Sequence, residues 1–437
     1  MTKSYNSEVL TSEIFNTKYL ILNRPKALNS LTGPMLAVMG KKLQEWDNSK
    51  DCNNIIVKSS TKKSFCAGGD VVQTVKGQEH GTLGSILFFV REYEINHIFA
   101  TTKKPVVAII EGITMGGGVG ASMHFPFRVA TENTLLAMPE TQIGLFPDVG
   151  ASFFLSRIGS ELGAYLGLTG TRLKGADVLY SGFATHLVNS KDISSLEIKL
   201  QQAKTSSYEE TNAILEQFSQ KTDDYKNNYP YSLSKYLDAI NRCFCYNTVG
   251  EILHALEREQ EEKVWAKDTL KTLNSMSPSS LAVTLELIRR GKSMSIKQCL
   301  DMEGQVASKI ITTNDYIQGV TELLITKTKN PKFDPPTVDK LDLGFIKKKY
   351  FEDYDERFRL EFKNSIDYHE YPHGEYTLPS ETSIVEHVSK LGQTLSNEQI
   401  VERFDKMYNG KIGIKEKVWN VLQRTRKHHQ KNLLSKL

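Results

Sequence analysis

Residues 106–120 read Val106-Val107-Ala108-Ile109-Ile110-Glu111-Gly112-Ile113-Thr114-Met115-Gly116-Gly117-Gly118-Val119-Gly120. The run Val106 to Ile110 is wholly apolar and too short for a helix, so it reads as a strand buried on both faces. The glycine cluster after it reads as a tight turn opening a helix. Such a loop can turn backbone N–H groups towards one point, where a side chain larger than hydrogen would obstruct close approach.

A second loop of this kind, Ser64-Phe65-Cys66-Ala67-Gly68-Gly69-Asp70, follows the short strand Ile55-Ile56-Val57. One loop alone reads as a tight turn; two point to a pocket for a developing oxyanion. Neither ends in Gly-Lys-Ser/Thr, and no clear ribose-binding acid follows, which sets aside nucleotide hydrolysis and hydride transfer. A third loop, Ala137 to Gly150, places Glu140 and Asp148 among apolar residues, Pro and Gly. Each acid alone reads as a turn or capping residue. Beside two oxyanion loops, a carboxylate raised by desolvation is suited to proton transfer.

Outward from these loops, Ile14 to Asn23 reads as a strand leaving at Arg24-Pro25. A helix starts at Pro34, another runs from Leu83 to Phe99, and Phe127 to Ala130 and His186 to Val188 are further strands. Strands separated by helices imply an α/β domain over residues 1–190. The periodicity then turns helical over 191–336, with a capping box at Thr248 and Glu251 and a helix after Ser277-Pro278-Ser279. Pro331, Pro335 and Pro336 mark a boundary, and 337–437 reads as a C-terminal extension.

The chain of 437 residues is 39% hydrophobic and 24% charged, with net charge +4. That excludes collagen-like, coiled-coil and wholly disordered chains, and no apolar run reaches membrane-spanning length. Five cysteines, none at metal or redox spacing, imply a reducing compartment, no disulfide framework and no structural metal. No Gly-x-Ser-x-Gly elbow occurs, and Cys66 reads as a small buried side chain. Residues 406–437 hold nine Lys/Arg against Glu416 alone, a net +8 that leaves −4 for the rest. This tail reads as a solvated, partly helical segment, with contact to RNA or an acidic surface as the alternative; the acidic body is no DNA binder. The N-terminus lacks the Arg-rich, acid-poor character of a transit peptide. The terminal Ser435-Lys436-Leu437 spells a peroxisomal import signal, read by an import receptor.

The runs Arg24 to Asn29, Phe65 to Asp70 and Ile113 to Gly120 resemble the crotonase (enoyl-CoA hydratase/isomerase) superfamily. Glu92-Tyr93, Met115 to Gly120, Ala137 to Glu140, Gly144 to Gly150, Met276 to Ser280 and Pro331 to Phe333 more narrowly resemble the 3-hydroxyisobutyryl-CoA hydrolase family. The resemblance extends over most of residues 10–336. It implies a crotonase-type spiral of ββα turns with a helical C-terminal region. It also implies that the N–H groups of Ala67 and Gly117 form the oxyanion hole, and that Lys26, Ala27, Leu28, Gly68, Gly69 and Asp70 border coenzyme A. Glu140 and Asp148 are the catalytic acids it implies, Glu140 either attacking the carbonyl or activating water, while Glu92 holds the polar acyl end. Gly120 stands where a hydratase carries its second glutamate, so hydrolysis is expected over hydration.

The implied reaction is cleavage of a short β-hydroxyacyl-CoA, 3-hydroxyisobutyryl-CoA or 3-hydroxypropionyl-CoA, as in valine catabolism. No cofactor is implied beyond the coenzyme A of the substrate. Proteins similar to this family also occur in the small subunit of mitochondrial ribosomes. A docking module contacting that ribosome or its rRNA through the basic tail, with the site retained or idle, is therefore the alternative. The family's usual place is the mitochondrial matrix, whereas the last three residues lean to the peroxisome.

Overall fold

The computed structural model describes residues 7–222, 224–391 and 395–434, with side chains to residue 425; Ser435-Lys436-Leu437 lies outside the described residues. Among the described residues ten strands follow one another: β1 (Val9–Ile14), β2 (Thr17–Leu22), β3 (Asn54–Ser59), β4 (Ser64–Cys66), β5 (Val106–Ile109), β6 (Ile113–Met115), β7 (Phe127–Ala130), β8 (Leu135–Ala137), β9 (Leu173–Lys174) and β10 (His186–Leu187). One sheet has the order β1-β2-β3-β5-β7-β10 and the other β4-β6-β8-β9. The chain therefore lays one strand in each sheet, adds a helix, and repeats. This is the expected ββα spiral. From β2 to β10 the large sheet is parallel, while β1 returns antiparallel on β2.

Alternation along the central strands divides the core. Ile55, Val57 and Ala108 enter the main core, whereas Ile56, Val107, Phe127 and Val129 face an outer layer with Leu196, Leu200 and Leu215 from helices 193–201 and 208–218. Each such fully buried aliphatic contributes about 1.5–3 kcal/mol relative to exposure. Helix starts follow local chemistry. The Thr32 side chain accepts the Met35 N–H at 3.3 Å with Pro34 in the first turn of helix 33–47, and the Thr248–Glu251 capping box closes both ways.

Three expectations change. The run from Ile14 is the second arm of a hairpin, turning at Phe15 with φ 50°, and its first arm exposes most of its side chains, so it lacks an apolar signature. The small sheet runs through segments expected to be loops, because strands of two or three residues carry no periodicity. The tail is helical, but its first part is docked rather than solvated. Lys411 pairs with Glu216 at 2.8 Å, Lys417 donates to the Tyr180 carbonyl at 3.1 Å, and Arg424 pairs with Asp238 at 2.9 Å. Ahead of the tail in the chain, Ile346, Tyr350, Phe358 and Leu360 join the main core. The segment near 366–371 crosses the body, with the His97 ring nitrogen on the Ile366 carbonyl and the Tyr371 hydroxyl on the Phe125 carbonyl. No helix among the described residues is long and apolar enough to cross a membrane.

Candidate active site

The two sheets bring their C-terminal loops together. A methyl placed on Gly117 would stand 2.7 Å from Glu92 Oε1 and 2.9 Å from Gly69 N, and one on Gly116 would stand 2.5 Å from Glu140 Oε1. The Gly116–Gly117 backbone thus threads a space that admits no Cβ, against the Gly68-Gly69 loop. Glu92 from helix 83–100, Glu140 from the 3-10 turn 140–143, and Asp148 are 2%, 6% and 4% exposed. The three acids, 56 residues apart at the extremes, are brought close enough for their charges to act on one another.

Their electrostatics follow from burial. Desolvation, aided by the neighbouring Asp148 charge, pushes both Glu92 and Glu140 well above the usual carboxylate range. Burial pushes Asp148 up to about 7, although the Tyr93 hydroxyl donates to its Oδ2 at 2.8 Å and favours the ionised form. Glu92 Oε1 and Glu140 Oε2 have no hydrogen-bond partner among the described residues. Buried polar atoms without partners are costly, and a substrate would supply what they lack.

The oxyanion assignment requires one correction. The Ala67 N–H donates to the Leu28 carbonyl at 3.0 Å and so is already occupied. The amide facing Gly117 is that of Gly69. Gly69 pairs with Leu31 through a parallel bridge whose bonds use the Gly68 carbonyl and the Asp70 N–H, leaving the Gly69 N–H free of it. Gly117 is the first residue of its helix, so its N–H is one of the four without an intrahelical acceptor.

The expected coenzyme A border is built from the same turns. Leu28 and Asn29 hold φ of 51° and 58°, and the Leu28 carbonyl accepts from Ala67 N and Ser64 Oγ. Lys26 is exposed, while Ala27 and Leu28 are half-buried. Asp70 caps helix 71–77 and pairs with Arg24 at 2.8 Å, which ties the two loops together. Cys66 is fully buried with its thiol pushed up to about 12, the packing role expected of it.

Gly120, where a second glutamate would sit, is closed. A Cβ there would meet Val149 Cβ at 2.5 Å. Val149 is β-branched yet has φ 55°, a strained conformation held from outside. His124 Nε2 bonds its carbonyl at 2.7 Å, and Glu303 on helix 296–310 accepts from Gly150 N at 2.7 Å, Ser152 N at 2.8 Å and Ser152 Oγ at 2.5 Å. Sequence reasoning assigned no role to Tyr93, His124 or Glu303. Glu303 left a signal, since it falls on the apolar stripe Leu300, Ala307 and Ile310 of its helix, where a charge is out of place.

A ββα spiral holding buried carboxylates against two converging glycine amides defines the crotonase class. The enoyl-CoA hydratase/isomerase family profile matches residues 17–351, and the chain belongs to that family. Two solved structures are similar. A carnitinyl-CoA dehydratase from Mycobacterium thermoresistibile has TM-score 0.74 and 31% identity over 82% of this chain and all of its own. An enoyl-CoA hydratase from Rhodobacter sphaeroides 2.4.1 has TM-score 0.70 and 29% identity over 79% and 97%.

Within the family, 3-hydroxyisobutyryl-CoA hydrolases are more similar in sequence than these two structures. The mitochondrial enzyme of Danio rerio is 41% identical over 82% of this chain and 92% of its own, and that of Homo sapiens 42% over 75% and 84%. The small ribosomal subunit protein mS47 of Neurospora crassa is 39% identical over 95% of this chain and 85% of its own.

Proposed function

We propose that this protein hydrolyses a short β-hydroxyacyl-CoA thioester, 3-hydroxyisobutyryl-CoA first and 3-hydroxypropionyl-CoA next, to the free acid and coenzyme A. The convergence of Glu92, Glu140 and Asp148 beside the Gly69 and Gly117 amides carries this reading. Those amides receive the carbonyl oxygen as it gains charge, where one such donor accounts for roughly 10²–10³ in rate. Glu140, in its ionised form, supplies the oxygen nucleophile, either directly, giving an acyl–Glu140 anhydride that water then cleaves to the free acid, or by taking a proton from water that attacks the carbonyl. The C–S bond breaks, and Asp148, holding a proton near neutrality, returns one to the departing thiolate. A neutral Glu92 donates to the polar acyl end, and Lys26, Ala27, Leu28, Gly68 and Asp70 border the coenzyme arm. Hydration of a C=C bond is disfavoured because position 120 has no room for a second acid.

The test is release of free thiol from 3-hydroxyisobutyryl-CoA, with crotonyl-CoA hydration run alongside. Rapid release that Glu140→Gln and Asp148→Asn each abolish is the expected result; hydration without release would overturn the reading.

A second reading rests on one observation. The mS47 similarity spans 95% of this chain, against 82% and 75% for the two hydrolase matches. A role on the mitochondrial small ribosomal subunit, with the active site retained, follows from it. The docked lysines of the tail are already paired and do not serve such a contact. Co-sedimentation with small subunits, lost on removing residues 426–437, is its test. The names of these relatives favour a mitochondrial location over the peroxisome. A tagged full-length chain that stays in mitochondria after deletion of Ser435 to Leu437 would bear that out.

A further inference from the structure

Helix 314–320 packs against both the turn that carries Glu140 and the helix that follows the Gly68-Gly69 loop. Towards the turn, the contact is backbone on backbone. Gly144 closes the turn with φ 72° and its N–H on the Glu140 carbonyl, and a Cβ there would run into the Asp315 carbonyl. A Cβ on Gly319, one turn further along the helix, would run into the Ile143 backbone. The helix is anchored as well. The Asp315 carboxyl accepts from Ser277 Oγ at 2.6 Å and from Asp334 N at 2.8 Å, and Ser277 N donates to the Thr141 carbonyl at 3.1 Å. With no side chain between the two backbones to take up a displacement, the helix and the Glu140 turn move together.

Towards the oxyanion loop, the link is a single pair of hydroxyls. Tyr316 is fully buried, and its hydroxyl lies 2.5 Å from Thr74 Oγ1. Thr74 Oγ1 donates to the Val71 carbonyl at 2.8 Å, and a hydroxyl has one proton to give, so the Tyr316 O–H is the donor of the pair. Burial pushes the Tyr316 hydroxyl up, and the nearby charges of Asp148, Glu92 and Asp70 add to this, so it keeps its proton. Thr74 belongs to helix 71–77, which is bonded straight onto the loop. Val71 N donates to the Gly69 carbonyl at 2.9 Å, and Thr74 N to the Asp70 carbonyl at 3.3 Å. The path from the Tyr316 hydroxyl to the Gly69 amide therefore runs through one short, hydrogen-bonded helix.

We propose that Tyr316 is a positioning residue: its bond to Thr74, made from a helix seated on the Glu140 turn, sets the spacing between the Gly69 amide and the Glu140 carboxyl. The role in catalysis rests on the hydrolase reading above. Thioester cleavage needs the carbonyl oxygen on the amides while an oxygen nucleophile stands at the carbonyl carbon. An error in that spacing is felt in the transition state, and hardly in binding of the coenzyme arm along Lys26 to Leu28. Misplacement by about 1 Å costs up to about 10²-fold in rate.

Thiol release from 3-hydroxyisobutyryl-CoA is measured for the full-length protein, Tyr316→Phe, Thr74→Val and the double variant, with urea unfolding of each. Each single change is expected to lower kcat roughly tenfold with KM held within about twofold. The double variant is expected to lose no more than the worse single one, because both changes break the same bond. A second readout needs no turnover. In a Glu140→Gln background, infrared difference spectra follow the carbonyl stretch of the carbon-13-labelled thioester, which donors in the oxyanion hole lower on binding. That lowering is expected to be smaller with Tyr316→Phe. If the parent protein releases no thiol, the hydrolase reading fails and the carbonyl shift alone decides the positioning role. An unchanged kcat in Tyr316→Phe, an unchanged carbonyl shift, or losses that add in the double variant and follow the urea midpoints would overturn the proposal.

Discussion

Asp148→Asn should stabilise the fold while removing activity, and the size of the gain should depend on pH in a defined way. The Asp148 carboxyl is held at about 7 by burial, against 3.8 for an ordinary aspartate. The native state therefore keeps a proton that the unfolded chain has released, and stability falls as pH rises between these two values. Three units correspond to about 4 kcal/mol, fully lost above about pH 7 and absent below about pH 4. Asparagine cannot ionise, and its carbonyl still accepts from Tyr93. Urea unfolding should thus show the variant more stable than the parent at pH 8 by up to about 4 kcal/mol. At pH 5 the advantage should shrink to about 1–2 kcal/mol. Relaxation of Glu92 and Glu140, which also feel Asp148, makes these upper values. Thiol release should fall by two orders of magnitude or more at every pH. A stability difference that stays constant from pH 5 to 8 would refute the claim that this carboxylate is held destabilised in the folded state.

Glu303→Ala strands three donors of the Gly150–Ser152 turn, so unfolding free energy should drop by about 3–6 kcal/mol. Glu303→Gln, keeping one acceptor, should retain the fold and shift the pH profile of thiol release through the displaced Asp148. Gly117→Ala puts a methyl against Glu92 and Gly69 N, and should lower kcat by about 10²–10³ with a folded protein, read by steady-state thiol release and circular dichroism. Gly120→Glu should destabilise the protein, by denaturant midpoint, and confer no hydration of crotonyl-CoA, because Val149 occupies the space.

The α/β character of the body was legible from the alternation of apolar runs and glycine loops, the spiral only from the resemblance of those loops to the crotonase superfamily, and Glu140 and Asp148 stood out as acids in apolar surroundings. What stayed hidden has physical causes. The β1 arm and the two-to-three-residue strands of the small sheet gain their order from ladder partners far along the chain, not from their own pattern. The resemblance put one candidate oxyanion amide at Ala67, whereas the amide proposed above is that of Gly69. Choosing Gly69 over Ala67 depends on which N–H the Leu28 carbonyl already occupies, and that is a tertiary fact. The tail was read by charge alone, yet Lys411 and Lys417 are buried because Glu216 and the Tyr180 carbonyl meet them from elements almost two hundred residues or more away.

Those same contacts bear on how the two proposed roles coexist. The C-terminal segment closes over Arg128 with Tyr371 and over Tyr180 with Lys417, and it contributes Ile346 and Leu360 to the main core. It is therefore part of the body rather than an arm free to reach a partner. A ribosomal contact, if made, uses the outer face of this wrap or the residues beyond 425, leaving the catalytic loops untouched. Binding to a small subunit should then leave thiol release unchanged, and a loss of turnover in the bound state would place the contact over the Glu140 pocket instead.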